Sequence, residues 1–477
     1  MNTTKNINKL AFKSGSGYMF SNILIRSIGI ITAPIFTRIL TTSDYGIVSN
    51  FLAWVVIISV FTGLGLPYSI GTASIDFKED LNKFISSIQT LGTIIAIIFL
   101  VFGITYNQQL AEIMSLDKEL VTVMFIYLLV YPNFLFAQEK YKFELRYKEN
   151  ILIAILNSFG AVLFCLVFVL YVFNDQRYLG RIIGLIFPIF LIGLYFFIKN
   201  LKHIRFANLK KYWTYALKIS IPMIPHSLAM IVLTQIDRLM IVKFIGNSEA
   251  GLYSFGFSYA VLMLIFSNAV LQAYNPWLYL TYEKNDILSI KKSNKSITSF
   301  LCILTIIIIT IGPEVLFILG TSEFMDAKWV IAPIALGALF QYVYNAYSSL
   351  ELYHKKTKII ALGTILTALV NLGLNYTFIP IYGYYAAGYT TFICYLLLAF
   401  FHLHAHRKIC NKTVFNDVFI WKATILTSIL GIIMTTLYPY FYLRYVILFI
   451  FLFVLISTKK IEILNLFKFI KKQYVRN

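Results

Sequence analysis

Charge is what this chain has least of. Only 13% of its residues are charged, against 59% hydrophobic. That is too little to cover the surface of a soluble domain, so the composition excludes water as the main solvent and implies a bilayer. Acids are the scarcer sign: 21 Asp and Glu stand against 41 Lys and Arg, leaving a formal net charge of +20. A basic excess of this size would suggest nucleic acid if it formed one patch. Here the basic residues come in short clusters between apolar runs, a pattern that membrane topology imposes and that argues for no nucleic-acid partner.

Other things are missing too. The four cysteines, Cys165, Cys302, Cys394 and Cys410, stand far apart with no CxxC or histidine-rich spacing, so they read as small apolar residues and no metal site or cofactor is expected. There is no P-loop, GxSxG elbow or HExxH helix, which argues against an ATPase or hydrolase. After the polar MNTTKNINK, the first apolar segment runs past twenty residues without a small-residue cleavage pattern, so it is expected to stay as a membrane helix.

What is there is apolar length. A crossing of about 30 Å of hydrocarbon takes about twenty apolar residues. Fourteen runs of about that length occur, at residues 15–40, 45–73, 84–106, 120–138, 151–173, 182–198, 215–245, 251–280, 297–319, 329–352, 359–379, 385–402, 418–437 and 443–457. They predict an all-α, polytopic membrane protein of about fourteen transmembrane helices. Lysine and arginine set its orientation. With the N-terminus inside, 31 basic residues fall on the inner side, 7 on the outer side and 3 within helices, so both termini are expected in the cytoplasm. The outer loops are short and acid-leaning, with no room for the external acid–base domain of a polymerase or ligase. The basic, amphipathic segment 199–218 suits a helix lying on anionic lipid.

The chain also repeats itself. Setting Gly46 against Gly251 aligns RILTTSDYGIVS with KFIGNSEAGLYS, pairing Ser43 with Ser248, Asp44 with Glu249 and Ser49 with Ser254 at an offset of 205. A second pairing, Gly180 with Gly388, has an offset of 208. Two matches in nearly one register predict a duplicated architecture, as in many transporters.

A few polar residues interrupt the apolar runs. Arg26 stands in the middle of the first crossing, where isolation in lipid would cost several kcal/mol. Asn22, Arg26, Gly29 and Ala33 recur at helical spacing and give that helix one small, polar face, suited to lining an aqueous cleft; the alternative is an arginine that snorkels or pairs with a carboxylate. In the seventh crossing His226 and Asp237, eleven residues apart, fall nearly in line, with Lys218 and Arg238 on the same helix. Pro222 and Pro225 are expected to bend it. Asp237 beside Arg238 suits either a buried ion pair or a substrate or coupling-ion site, the ion being a proton or sodium. Glu351, His354 and the lysines that follow read as a solvated helix end.

The stretches IDRLMIVKFIGNSEAGLYSFGFSY, APIFTRILTTSDYGIVSNF and NLGLNYTFIPIYGYYAAGYTT resemble the recurrent motifs of the Wzx-type O-antigen flippases, the polysaccharide branch of the multidrug/oligosaccharidyl-lipid/polysaccharide superfamily. The resemblance covers essentially the whole chain. It implies two six-helix lobes related by a pseudo-two-fold axis, a central cavity, two further C-terminal helices, and flipping of undecaprenyl-diphosphate-linked oligosaccharide across the bacterial inner membrane. The expected parts are an N-lobe over 1–200, a cytoplasmic linker over 201–213, a C-lobe over 214–410, and two helices with a basic tail over 411–477. Such a protein would be a transporter, not an enzyme, with membrane lipids, a polysaccharide polymerase and a chain-length regulator as candidate partners. Many members carry an arginine shortly after the second crossing, where this chain has Gly71 and Thr72.

A lipid diphosphate needs a polar, cationic cavity, and Arg26, with Lys218 and Arg238, would supply its charge. A cation or drug antiporter of the multidrug-extrusion type would prefer carboxylates there, and a scaffold for glycan-assembly enzymes would leave Arg26 unexplained. A reporter fused to the C-terminus is expected to show only the activity characteristic of the cytoplasm; external activity would mean a miscounted crossing.

Overall fold

The computed structural model describes residues 31–203, 208–410, 413–451 and 453. Asn22 and Arg26 lie outside that set, as do most of the first apolar run and the end of the last. Every regular element among the described residues is helical. Twelve helical segments are long and apolar enough to cross a bilayer, and they match the second to thirteenth expected runs in order; Phe441–Phe451 is a shorter apolar helix.

The chain divides into two compact units, which meet between Gly251 and Leu252. In the first, α1 (Thr42–Gly63) is followed by the short α2 (Ser69–Asp76), α3 (Leu81–Thr105), α4 (Asn107–Met114), α5 (Lys118–Phe143), α6 (Tyr147–Val167), α7 (Arg177–Leu201), α8 (Leu209–Ser220) and α9 (Ile224–Phe244). The helix α10 (Asn247–Ala260) carries the boundary. The second unit continues with α11 (Leu262–Glu283), α12 (Ile287–Leu319), α13 (Lys328–Tyr353), α14 (Thr357–Tyr382), α15 (Tyr385–Cys410) and α16 (Asp417–Thr436).

Helix starts repeat. Thr42 and Asn247, Leu81 and Ile287, Lys118 and Lys328, Tyr147 and Thr357, and Arg177 and Tyr385 lie 205, 206, 210, 210 and 208 residues apart. The internal repeat therefore runs through five helix pairs, beyond the two glycine matches that first show it. Each unit is built on the third helix of its set. In the first, α5 is the most buried span and packs on α7, α3 and α1; in the second, α13 holds that place against α15, α11 and α12.

The first turn of α1 shows why it starts where it does. The Asp44 N–H donates to Thr41 Oγ1 at 3.1 Å, and the Thr41 N–H donates back to Asp44 Oδ2 at 2.9 Å, a capping box that satisfies two otherwise orphaned donors. This turn also meets its own repeat. A methyl placed on Gly46 would fall on the carbonyl of Asn247, and one on Gly251 would fall on the carbonyl of Thr42. Thr42 precedes Gly46 by four residues as Asn247 precedes Gly251, so the two contacts are reciprocal, the relation a two-fold axis imposes. Thr42 Oγ1 and Ser248 Oγ, 2.6 Å apart, close the same crossing.

Two sequence readings change. The run 45–73 is not one helix: Leu64 and Gly65 take left-handed backbone (φ 44° and 61°), and Pro67 follows in a 3₁₀ turn over Leu66–Tyr68. Two successive left-handed residues cannot continue a right-handed helix, and Pro67 has no N–H to donate. Nor is the amphipathic face of α8 turned to lipid. Tyr212 packs edge-on to Phe77 and Phe84, with ring centres 5.2 and 5.6 Å away, and Trp213 Nε1 donates to Ser87 O at 2.7 Å. Its apolar face is covered by protein, leaving Lys210, Lys211 and Lys218 exposed.

The expected bend at Pro222 is present as a 3₁₀ turn, Ile221–Met223, between α8 and α9. Although the repeat assigns α9 to the second copy, α9 packs on α1 within the first unit.

Gly46→Ala or Gly251→Ala should each lower stability by about 1–3 kcal/mol or more, because neither helix can give way without the other. Gly63→Ala, whose added methyl meets nothing within 4 Å, should leave it nearly unchanged. Thermal unfolding of the purified variants in detergent compares them directly.

Candidate functional site

The interruption of α1 opens a cavity of about 250 Å³ within the first unit. Gly63, Gly65, Pro67 and Tyr68 of the break form one wall, with Ser59 a turn earlier. Tyr131, Gln138 and Glu139 of α5 form a second, and Ser227 of α9 stands on the third. Breaking a helix frees backbone carbonyls and N–H groups, which inside a membrane are tolerated only where protein or a water-filled cavity meets them. The break therefore fixes the cavity's place.

Three contacts shape it. Ser227 Oγ lies 3.1 Å from Tyr68 Oη and 2.9 Å from the carbonyl of Met223, pinning the break against the start of α9. Gly65 has a positive φ, and a Cβ there would stand 3.2 Å from the Tyr68 ring, so a side chain would be both strained and crowded. On α5, the ring of Tyr131 stands between those of Tyr127 and Phe134, 5.2 and 6.4 Å away, which fixes its place on the cavity wall. Glu139 accepts from Lys142 Nζ at 2.9 Å. The cavity walls thus combine aromatic rings, hydroxyls, a carboxamide and a paired carboxylate, with no lysine or arginine among the lining residues.

The residues singled out from sequence fall around this place unevenly. His226, half-buried, adjoins Ser227, and its Nδ1 has no hydrogen-bond partner among the described residues. Lys218 is exposed on α8, before the proline bend. Asp237 is buried further along α9, and the half-buried Arg238 donates from Nη1 to Thr234 O at 2.8 Å and Gln235 Oε1 at 3.3 Å. None of the four lines the cavity. Gly71 has the Phe143 ring 2.6 Å from its Cβ position, so no side chain fits without moving that ring. Among the described residues no three His, Cys, Asp or Glu side chains come close enough to hold a metal ion.

A second polar site lies in the other unit and overturns one expectation. Glu351 is not a solvated helix end: it is 0% exposed, and so is His402, whose Nδ1 lies 2.9 Å from both carboxylate oxygens. Two residues from the end of α13, it is still covered, because α15 runs alongside past that point. Below it, Tyr347 Oη donates to Asp417 Oδ1 at 3.2 Å and Arg407 Nε to Asp417 Oδ2 at 2.8 Å. Asn371, Asn375, Thr390 and Thr391 form a further buried chain of hydrogen bonds between α14 and α15.

The sequence matches the family model described as polysaccharide biosynthesis protein over residues 12–280. It is 28% identical over 180 residues to an uncharacterized membrane protein of Haemophilus influenzae, 36% of this chain and 43% of that one. The chain spans less than half the length of the curated relatives it matches. Among solved structures, the lipid II flippase MurJ in an inward closed conformation superposes with a TM-score of 0.71 at 15% identity, over 94% of this chain and 99% of that one. An inward-facing multidrug resistance MATE family transporter of the MOP superfamily follows at 0.66 and 11% identity, over 82% and 95%. At these identities the likeness is one of fold: a polytopic helical architecture.

Glu351→Ala should cost about 3–5 kcal/mol, because it leaves His402 buried without its partner. Exchanging both for apolar residues, Glu351→Met with His402→Phe, should recover most of that loss. Melting temperatures of the single and double variants decide it, and equal losses in both would mean that the pair matters as an ion pair and not as packing.

Proposed function

The chain belongs to the polysaccharide biosynthesis protein family, and on that premise we propose that it is a flippase that carries undecaprenyl-diphosphate-linked oligosaccharide across the bacterial inner membrane. The observation that carries the reading is the cavity at the interrupted helix α1. In transporter folds a discontinuous helix whose irregular backbone lines a cavity is a usual mark of a substrate site. The protein acts as a transporter and not an enzyme. Its product would feed O-antigen, capsule or related surface polysaccharide, with a polysaccharide polymerase and chain-length regulator as downstream partners.

In this reading the basic residues place both termini in the cytoplasm, and the lobes span 1–200 and 214–410, joined by the linker 201–213 and followed by the C-terminal segment 411–477. Transport proceeds by alternating access. A proton or sodium ion would be the coupling ion. Arg26 would meet the diphosphate, with Asn22 four residues before it in the sequence and Lys218, His226, Asp237 and Arg238 along α8 and α9 as further candidates. The planar guanidinium fork suits paired phosphate oxygens. A multidrug-type cation exporter shares the fold, but it would want a free carboxylate in the cavity, and Glu139 is already paired with Lys142.

Arg26→Lys keeps the charge and loses the fork, so it should retain partial transport, whereas Arg26→Ala should lose most of it at equal expression. Surface glycan in a strain with no redundant flippase is the measurement; wild-type glycan from Arg26→Ala would remove Arg26 from the site.

A further inference from the structure

The geometry points to the cavity at the α1 break as a sugar subsite: a seat for one pyranose ring of the lipid-linked oligosaccharide, separate from whatever holds its diphosphate. This rests on the flippase reading and adds to it which part of the substrate the cavity takes.

Size is the first argument. About 250 Å³ is room for roughly eight waters at their liquid volume, the scale of a single sugar ring. Lining is the second. Tyr68 and Tyr131 put two aromatic rings on the wall, and an aromatic face carries the partial negative charge that the C–H face of a pyranose meets favourably. The ring's hydroxyls then find the edge groups they need in Ser59, Ser227, Gln138 and Glu139, a small set of polar groups placed on a mostly apolar wall.

Charge is the third argument, and it separates sugar from phosphate. No lysine or arginine lines the cavity, and its one charged wall residue is the carboxylate of Glu139. A diphosphate would meet no cation on the wall, and the nearby Lys142 is already engaged by Glu139. A polyprenyl tail fits no better, because seating it here would set the Gln138 carboxamide and the Glu139 carboxylate against hydrocarbon.

Gly63 is the fourth. A methyl group there meets nothing within 4 Å, so its lack of a side chain serves no packing. It leaves the last turn of α1 open to the cavity, and a ligand can approach the backbone where Leu64 and Gly65 have turned away from helical pairing.

The test uses the open position. Gly63→Cys in the full-length protein, reconstituted in nanodiscs, should react with a water-soluble maleimide, while the four buried native cysteines give the wild-type protein a low background. Undecaprenyl diphosphate, and the same carrier bearing a single hexose or N-acetylhexosamine, are the probes, with binding of each followed separately by thermal shift. The expected result is that at least one sugar-bearing carrier slows labelling and the bare carrier does not. In an otherwise native chain, Tyr68→Leu should weaken binding of that sugar-bearing carrier by about threefold to tenfold and leave the bare carrier's affinity unchanged. Equal protection by the bare carrier would put the lipid or diphosphate in the cavity and overturn the subsite while leaving the flippase reading intact. Binding of both carriers with protection by neither would overturn it as well. If no carrier binds at all, the flippase reading fails, and the subsite with it.

Discussion

Inside a bilayer, a backbone N–H or C=O without a partner costs several kcal/mol, and that constraint governs where this chain is allowed to be irregular. Among the described residues the largest departure from helix within a membrane-length segment is at Leu64–Tyr68, where two left-handed residues and Pro67 end α1. Such a break is tolerable only if something polar meets the freed groups, and the cavity bounded by α1, α5 and α9 is where they are met. The Ser227 contact to Tyr68, the aromatic run along α5 and the glycines of the break are consequences of that one requirement.

The two copies of the repeat show that the break is not demanded by the fold. The segment α1 to α2 corresponds to α10 to α11, since Thr42 and Asn247 begin them 205 residues apart. In the second copy the helix is interrupted only at Val261, with right-handed backbone on both sides. The first copy has GLGLPY where the second has a nearly continuous helix. A duplicated scaffold that has kept five helix starts within a few residues, yet differs here, has changed a local element while holding its frame.

Much of this was legible from residues. The order and places of the twelve described spans followed from apolar run length, because a crossing needs a fixed thickness of hydrocarbon whatever it packs against. The repeat was visible at Gly46 and Gly251 because a close crossing leaves no room for a Cβ on either helix, and chemistry that strict survives as identity. The cavity was less legible. The glycines and proline of GLGLPY are turn signals, but inside a run of 29 apolar-rich residues at 45–73 the length argument carried across them. Tyr131, Gln138 and Glu139 gave no signal, since what they line depends on the tertiary packing of α5. Glu351 misled for a related reason. Its place near a helix end, beside lysines, suggested solvent, whereas burial is decided by how far the neighbouring helix extends.

The buried pair of Glu351 and His402 bears on the same question of what the fold requires. By the repeat, Lys118 and Lys328 begin equivalent helices 210 residues apart, so Glu351 in α13 corresponds to Tyr141 in α5. Tyr141 is buried as well, but it closes its helix pair with an aromatic contact to Phe196 of α7, ring centres 5.8 Å apart. The helices α13 and α15 are the counterparts of α5 and α7, and they meet at this level through a carboxylate and an imidazole instead. Burying two ionisable groups is costly, and apolar residues of similar volume often hold a core as well or better. Since the first unit holds this level through the Tyr141 and Phe196 rings, with Arg146 over Tyr141, the Glu351 and His402 pair is a property of the second unit and not a condition of the architecture.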